Sequence, residues 1–245
     1  SRNRPINPLP DKRFFIIGDS HAYDILNLLK HNKSYKTINM VIPGCHFYSP
    51  LKNCKDHHLI HKERLIKEAK QGDIVLLASG FFPGIMLEKD EINLIELSSM
   101  QSYLKDILDI FEKRGIVTIF KMPHPEVKNP EIRVGNGLIC RKEKFRQYID
   151  PGCKVGGVSK KDFLEQRKFF STPIKEFGSQ YKNLIFWDIT SITCPDSQCF
   201  PGTENKQYTV DDHHLFITSP NLSDSLLKDL NKILSSLKEK EPVTK

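Results

Sequence analysis

Phe14-Phe15-Ile16-Ile17-Gly18-Asp19-Ser20-His21-Ala22 is the stretch on which the reading of this chain turns. A short apolar run ended by glycine suits a strand buried on both faces of a sheet. Ile25, Leu26, Leu28 and Leu29 follow at helical spacing over residues 23–29. Ser20 therefore stands on a tight turn from strand to helix. Near the other end, Asp211-Asp212-His213-His214-Leu215 offers a carboxylate and an imidazole three residues apart. A serine hydroxyl is a weak nucleophile at neutral pH; it needs a base within reach, and the base needs an orienting group. Ser20 as nucleophile, His214 as base and Asp211 as the partner of His214 would supply all three. Asp212 and His213 are a rival couple if the register shifts by one residue. The plainer reading of Ser20 is a helix N-cap, with Asp19 a turn residue.

Between these strings, strand-like and helix-like segments alternate. Strands are expected at residues 13–17, 37–42, 74–78, 116–122 and 184–189. Helices are expected at residues 58–70, 92–113, 160–177 and 221–237, the third interrupted by Pro173. Residues 123–158 and 190–213 read as loop. Such alternation predicts a three-layer α/β/α sandwich around a central, mostly parallel, five-stranded sheet. In such sheets ligands bind beyond the carboxyl ends of the strands, where Ser20 falls. The expected organisation is an extended, proline-broken leader over residues 1–12, one domain over 13–237 and a frayed tail over 238–245.

The chain has 245 residues, enough for one substantial core. No apolar run approaches the roughly 18–20 residues that span a bilayer, and the polar N-terminus has no signal-peptide pattern. The net charge of +7 comes from lysines scattered along the chain, without an arginine-rich stripe or interleaved aromatics. That argues against nucleic acid as a partner and for a solvated basic surface suited to anionic glycans or lipid headgroups. Six cysteines lie as close pairs: Cys45 with Cys54, Cys140 with Cys153, and Cys194 with Cys199. Neighbour pairing would staple one loop per pair and place the chain in an oxidising compartment; six buried thiols are the alternative. No Cys-x-x-Cys occurs, and no metal or other cofactor is expected. His57, His58 and His61 include an i, i+4 pair, but no glutamate stands inside it, so a solvated helix face is expected. His124 follows the fourth strand and could touch substrate, though turn structure explains it equally; Phe81-Phe82 could form an acyl or sugar platform, but core packing is the more frequent fate of such a pair, and Trp187 is expected in the core.

The order of serine turn, helix and late Asp-x-x-His resembles the SGNH (GDSL-like) hydrolase family. More narrowly, Gly18-Asp-Ser-His-Ala22 and Tyr208-x-x-Asp-Asp-His-His-Leu215 look like the extracytoplasmic SGNH domain attached to membrane acyltransferase-3 proteins. Those proteins O-acetylate bacterial surface polysaccharides such as lipopolysaccharide O-antigen or peptidoglycan. The resemblance runs over residues 13–235 and extends to Cys45, Cys54 and the pair Cys194 and Cys199. It implies an acyl-serine on Ser20, with His214 as base, Asp211 as its partner and the Ser20 amide as an oxyanion donor. It also implies a membrane-embedded acyltransferase-3 partner in the same chain, an acetyl donor passed across the membrane and a glycan acceptor. The location would be the periplasmic face of the inner membrane. A free-standing esterase, or a glycan-binding module without activity, would use the same fold. Two features depart from the family pattern. Ser79-Gly80-Phe81-Phe82 stands where the general family has Gly-x-Asn-Asp, and Phe216 stands where a serine usually follows His-Leu. The second oxyanion donor is then expected to be a backbone N–H, of Gly44 in Pro43-Gly44-Cys45 or of Gly80.

Overall fold

A computed structural model describes residues 13–31, 35–49, 51–80, 91–125, 158–199, 202–203, 206–207, 214–215, 217 and 220–238. The expected leader, Phe81-Phe82, Asp211-Asp212-His213 and the end of the tail lie outside these residues. The expected disulfide between Cys140 and Cys153 lies outside them as well, whereas the other two expected disulfides lie within them and are formed.

Five strands form the central sheet: β1 (Arg13–Gly18), β2 (Lys36–Val41), β3 (Ile74–Ala78), β4 (Val117–Lys121) and β6 (Leu184–Trp187). Their order is β2-β1-β3-β4-β6, and every pairing is parallel. The long helices are α1 (Ser20–His31), α2 (Lys52–Glu68), α3 (Glu91–Arg114), α4 (Lys160–Gly178) and α6 (Pro220–Lys238), with a single turn, α5 (Thr190–Thr193), before the last. The expected α/β architecture with a five-stranded parallel sheet is what the chain forms.

Each strand feeds both faces, because successive side chains alternate. Phe14, Ile16, Leu76 and Ile119 point to one side, where α1 (Ile25, Leu26, Leu29) and α6 (Leu222, Leu226, Leu230, Leu234) cover them. Phe15, Ile17, Leu77 and Phe120 point to the other, under α2 (Leu65), α3 (Leu104, Ile107, Phe111) and α4 (Phe170, Ile174). The four-residue spacing of the α6 leucines is one helix face laid along the sheet.

Several elements differ from the sequence reading. Helix α2 starts at Lys52, so Cys54 lies inside the helix and the Cys45–Cys54 disulfide ties the helix to the loop after β2. Helix α4 runs through Pro173. A proline deletes one helical hydrogen bond, but Phe163, Phe170 and Ile174 hold the buried face on both sides of it. The expected 190–213 loop contains α5 and three two-residue strands. β7 (Gln198–Cys199) pairs antiparallel with β5 (Val158–Ser159), and β8 (Gly202–Thr203) with β9 (Lys206–Gln207). Such short ladders are too brief to leave a period in the sequence. The Cys194–Cys199 disulfide closes the turn into β7. Trp187 is buried as expected, with its indole N–H donating to Asp229 at 3.0 Å.

At the edge of the fourth strand, Arg167 of α4 forks onto Asp188 at 2.6 and 2.9 Å and also donates to the Pro123 carbonyl and Thr190 hydroxyl. This joins the carboxyl ends of β4 and β6 to the helix behind them. Burial opposes ionisation of Asp188, but Arg167 and Thr190 overcome it and hold the carboxyl at about 2.

The topology opens a crevice. From β1 the chain moves outward to β2, then returns past β1 to β3 and continues the other way. The loops after β1 and β3 therefore diverge, which is where parallel sheets bind ligands. Gly18 makes the close approach there possible: its φ is +144°, and a Cβ on it would stand 1.6 Å from the Ala78 carbonyl oxygen of β3. Gly18→Ala is expected to lower stability by about 3 kcal/mol or more. A urea midpoint equal to that of the parent would contradict this packing.

Candidate active site

Gly18 ends β1, and Ser20 opens α1, with the Ala22 amide donating to the Asp19 carbonyl at 3.0 Å to start the first helical turn. Ser20 is half-buried at the mouth of the crevice. Its amide belongs to the first turn of a helix, where N–H groups have no carbonyl partner within the helix.

Asp19, read from sequence as a turn residue, does far more. It is 3% exposed. Its Oδ1 accepts the His21 amide at 2.9 Å, the N-capping bond. Its Oδ2 accepts the Gly80 amide at 2.9 Å and lies 2.6 Å from His46 Nδ1. The carboxylate thus joins the loops after β1, β2 and β3. Burial opposes its ionisation, but His46, His21 and the Gly80 N–H outweigh that and hold its carboxyl at about 2. His46 in turn stacks on Tyr48, ring centroids 5.2 Å apart with their planes nearly parallel, and the Tyr48 hydroxyl reaches the Gly80 carbonyl at 3.5 Å. Neither His46 nor Tyr48 has a sequence signal beyond its nearness to Gly44.

Gly44 occupies the turn that the sequence suggested. Its φ is +74°, and the Cys45 amide donates to the Ile42 carbonyl at 3.0 Å across Pro43-Gly44. This is the proline-glycine turn in which the third residue must be left-handed. The Gly80 N–H, the other oxyanion candidate, is turned onto Asp19 instead.

The late string comes back to the same helix. The Leu215 amide donates to Asp24 Oδ2 at 2.9 Å, and Leu215 itself is buried in the core beside α1. Asp24 is one helical turn beyond Ser20, so both lie on one face of α1. That anchor sets His214 against His21, rings 5.2 Å apart and edge-on. His21 also meets His124, 5.4 Å away on its other contact. Three histidine rings therefore line up from the end of β4 to the late loop. Lys121 stands behind them, 1% exposed, with its ammonium donating to His124 Nδ1 at 3.0 Å. That bond assigns the His124 proton to Nε2. Burial lowers the Lys121 pKa to about 8, against the pull of Asp24, Asp19 and Asp188. A lysine at the end of an apolar strand was its only sequence trace. Ser20 and His214 are thus carried by neighbouring segments, joined through His21 and Asp24.

The family model for SGNH domains fused to AT3 domains matches residues 2–218. The chain belongs to this family. The resemblance drawn from the two terminal strings is borne out, with the fold it implied. A search of curated proteins found no match. Among solved structures, the chain is similar to a candidate acylhydrolase from Bacteroides fragilis NCTC 9343. The identity is 14%, 95% of this chain and 92% of that one are covered, and the TM-score is 0.49. Among the described residues, this SGNH domain has no helix long and apolar enough to cross a membrane.

Of the α2 histidines, His57 is exposed as the sequence suggested, but His58 and His61 are not part of a solvated face. His58 is 3% exposed and its Nε2 meets the Cys45 carbonyl at 3.1 Å, while His61 Nδ1 meets the Met40 carbonyl at 3.0 Å. The helix leans on the loop after β2, which buries the ring. The two rings serve separate carbonyls, and no group of three metal-binding side chains occurs among the described residues.

The Asp19 pKa is depressed, so its contribution is complete above the unfolded value of about 3.9 and is lost as the pH falls towards 2. Asp19→Asn is expected to cost about 1–3 kcal/mol at neutral pH and to flatten that acid-side loss. Urea midpoints followed from neutral to acid pH read both; a neutral-pH midpoint unchanged by the substitution would overturn the anchoring role.

Proposed function

We propose that this SGNH domain transfers an acyl group, acetyl in the simplest case, to a hydroxyl of a bacterial surface polysaccharide through an acyl-Ser20 intermediate. The observation that carries the reading is the anchoring of His214 and Leu215 to the serine helix. The Leu215–Asp24 bond and the His214–His21 contact bring the late histidine to the helix that Ser20 opens.

In the first half-reaction Ser20 Oγ attacks the acyl carbonyl carbon as His214 takes the hydroxyl proton. The tetrahedral adduct collapses, His214 returns the proton to the departing oxygen, and the acyl group stays on Ser20. In the second, an acceptor hydroxyl gives its proton to His214 and attacks the acyl carbon. Ser20 leaves as alkoxide and recovers that proton. Asp211 orients His214 and stabilises its protonated form. The oxyanion is met by the Ser20 N–H and, as second donor, by the Gly44 N–H, since the Gly80 N–H is held by Asp19. Asp19 does not touch substrate; it fixes the loops that present Ser20 and Gly44. The nearby Lys121 cation favours the negative adduct electrostatically.

Water in place of the acceptor hydroxyl would make the same machinery an esterase. Family membership favours transfer, because these domains are fused to AT3 domains. On that reading a membrane-embedded acyltransferase-3 portion supplies the acyl group, and the SGNH domain works on the extracytoplasmic side. The disulfides Cys45–Cys54 and Cys194–Cys199 suit that oxidising side. A third bond, between Cys140 and Cys153 outside the described residues, is part of the proposal on the same ground.

Ser20→Ala and His214→Ala are each expected to reduce p-nitrophenyl acetate hydrolysis by about a thousandfold or more. Undiminished turnover by Ser20→Ala would sink the acyl-serine mechanism. Acetylation of an added polysaccharide, against release of free acetate alone, separates transferase from esterase.

A further inference from the structure

Packing does not hold Gly44, the second oxyanion donor of the proposed reaction. A Cβ on it would meet no atom within 4 Å. An oxyanion donor must nevertheless keep its place, since a displacement of about 1 Å can cost about a hundredfold in rate. The turn is held through its neighbours instead. Before it, the Ile42 amide donates to the Gly18 carbonyl at 2.9 Å. After it comes Cys45, which α2 grips twice.

The Cys45 sulfur is bonded to Cys54, and the Cys45 carbonyl accepts the His58 Nε2–H at 3.1 Å. His58 is buried, and burial keeps its ring neutral, with its pKa down at about 4. Its one N–H is then the one given to Cys45. A third grip lies just upstream, where His61 Nδ1 donates to the Met40 carbonyl of β2 at 3.0 Å. The residue after Cys45 is His46, which meets Asp19. Whatever fixes Cys45 therefore fixes both Gly44 before it and His46 after it.

The grip is written along one face of α2. Cys54, His58, His61 and Leu65 stand at i, i+4, i+7 and i+11, a stripe that a helix turns towards the core. Leu65 occupies that core. Apolar side chains would suit the other three places as packing alone. They carry instead a disulfide and two imidazole donors, all aimed at residues 40–45. His58 holds its place against stability, because its Nδ1 is buried without a partner among the described residues. An apolar side chain would avoid that cost but would release the Cys45 carbonyl.

We propose that Cys54 and His58 are positioning residues for acyl transfer. Joined to Cys45 at its sulfur and its carbonyl, they aim the Gly44 N–H at the oxyanion without touching substrate. The proposal rests on the acyl-Ser20 reading with Gly44 as second donor, and it names what holds that donor in place.

Steady-state hydrolysis of p-nitrophenyl acetate tests it, at a temperature where circular dichroism shows every chain folded. His58→Leu is expected to lower kcat and kcat/KM together by about tenfold to a hundredfold, with KM unchanged, the mark of an interaction made in the transition state. His58→Gln, whose side-chain N–H can reach the Cys45 carbonyl, is expected to recover most of that loss. Cys45→Ser with Cys54→Ser is expected to lower kcat about tenfold. A merely structural role would lower the thermal midpoint and leave the kcat of the folded chain at the parental value. Parental kcat in His58→Leu, or equal losses in His58→Leu and His58→Gln, would overturn the positioning role. If His58→Leu does not fold, parental kcat in the double serine variant overturns it. Parental kcat in these variants beside intact Ser20-dependent hydrolysis removes the positioning role alone. Absence of Ser20-dependent hydrolysis in the parent removes the acyl-serine reading and the positioning role with it.

Discussion

A carboxylate that is 3% exposed must find donors inside the protein, and Asp19 finds them on three separate loops. Each donor comes from the carboxyl end of a different strand: His21 after β1, His46 after β2 and Gly80 after β3. The charge is costly to bury, so these loops cannot drift apart without exposing or orphaning it. That constraint turns a parallel sheet with a crevice into a crevice of defined shape. Ser20 gains its orientation from it, since Asp19 is the cap of the helix that Ser20 opens.

A second tie brings in the far end of the chain. The Leu215 amide on Asp24 and the apolar side chain of Leu215 in the core act together, one giving direction and the other affinity. The distance in sequence is covered by packing α6 against the same sheet face as α1. Behind the meeting point, the row of His124, His21 and His214 rests on Lys121. The site is thus built over a buried cation and a buried anion, Lys121 and Asp19. Each biases the protonation of its neighbours more strongly than a surface charge would.

Much of this was legible in the chain itself. Phe14–Ile17 and Ile74–Ala78 read as central strands because side chains on both faces are buried, which demands uninterrupted apolar residues. Gly18-Asp-Ser announced the strand-to-helix turn, and Asp-x-x-His its distant counterpart. The Cys45–Cys54 and Cys194–Cys199 pairings followed from nearness in sequence. Asp19, His46 and Lys121 were harder to see. Their roles arise from partners tens of residues away, and nothing local distinguishes an anchoring aspartate from an ordinary turn aspartate. His58 misled for the same reason: helical spacing placed it on a polar stretch, while its burial depends on where the β2–α2 loop folds.

Alternating apolar segments, one glycine-ended strand and two short terminal strings were enough to determine the family, the parallel sheet and the two residues that head the proposed chemistry. Periodicity and turn chemistry are local, and a single sequence carries them in full. Which backbone N–H the Asp19 carboxylate takes up and which carboxylate is buried were decided only by tertiary structure. Those properties depend on distances between segments remote in sequence, and such distances are fixed only when the sheet closes its register and the helices pack on it.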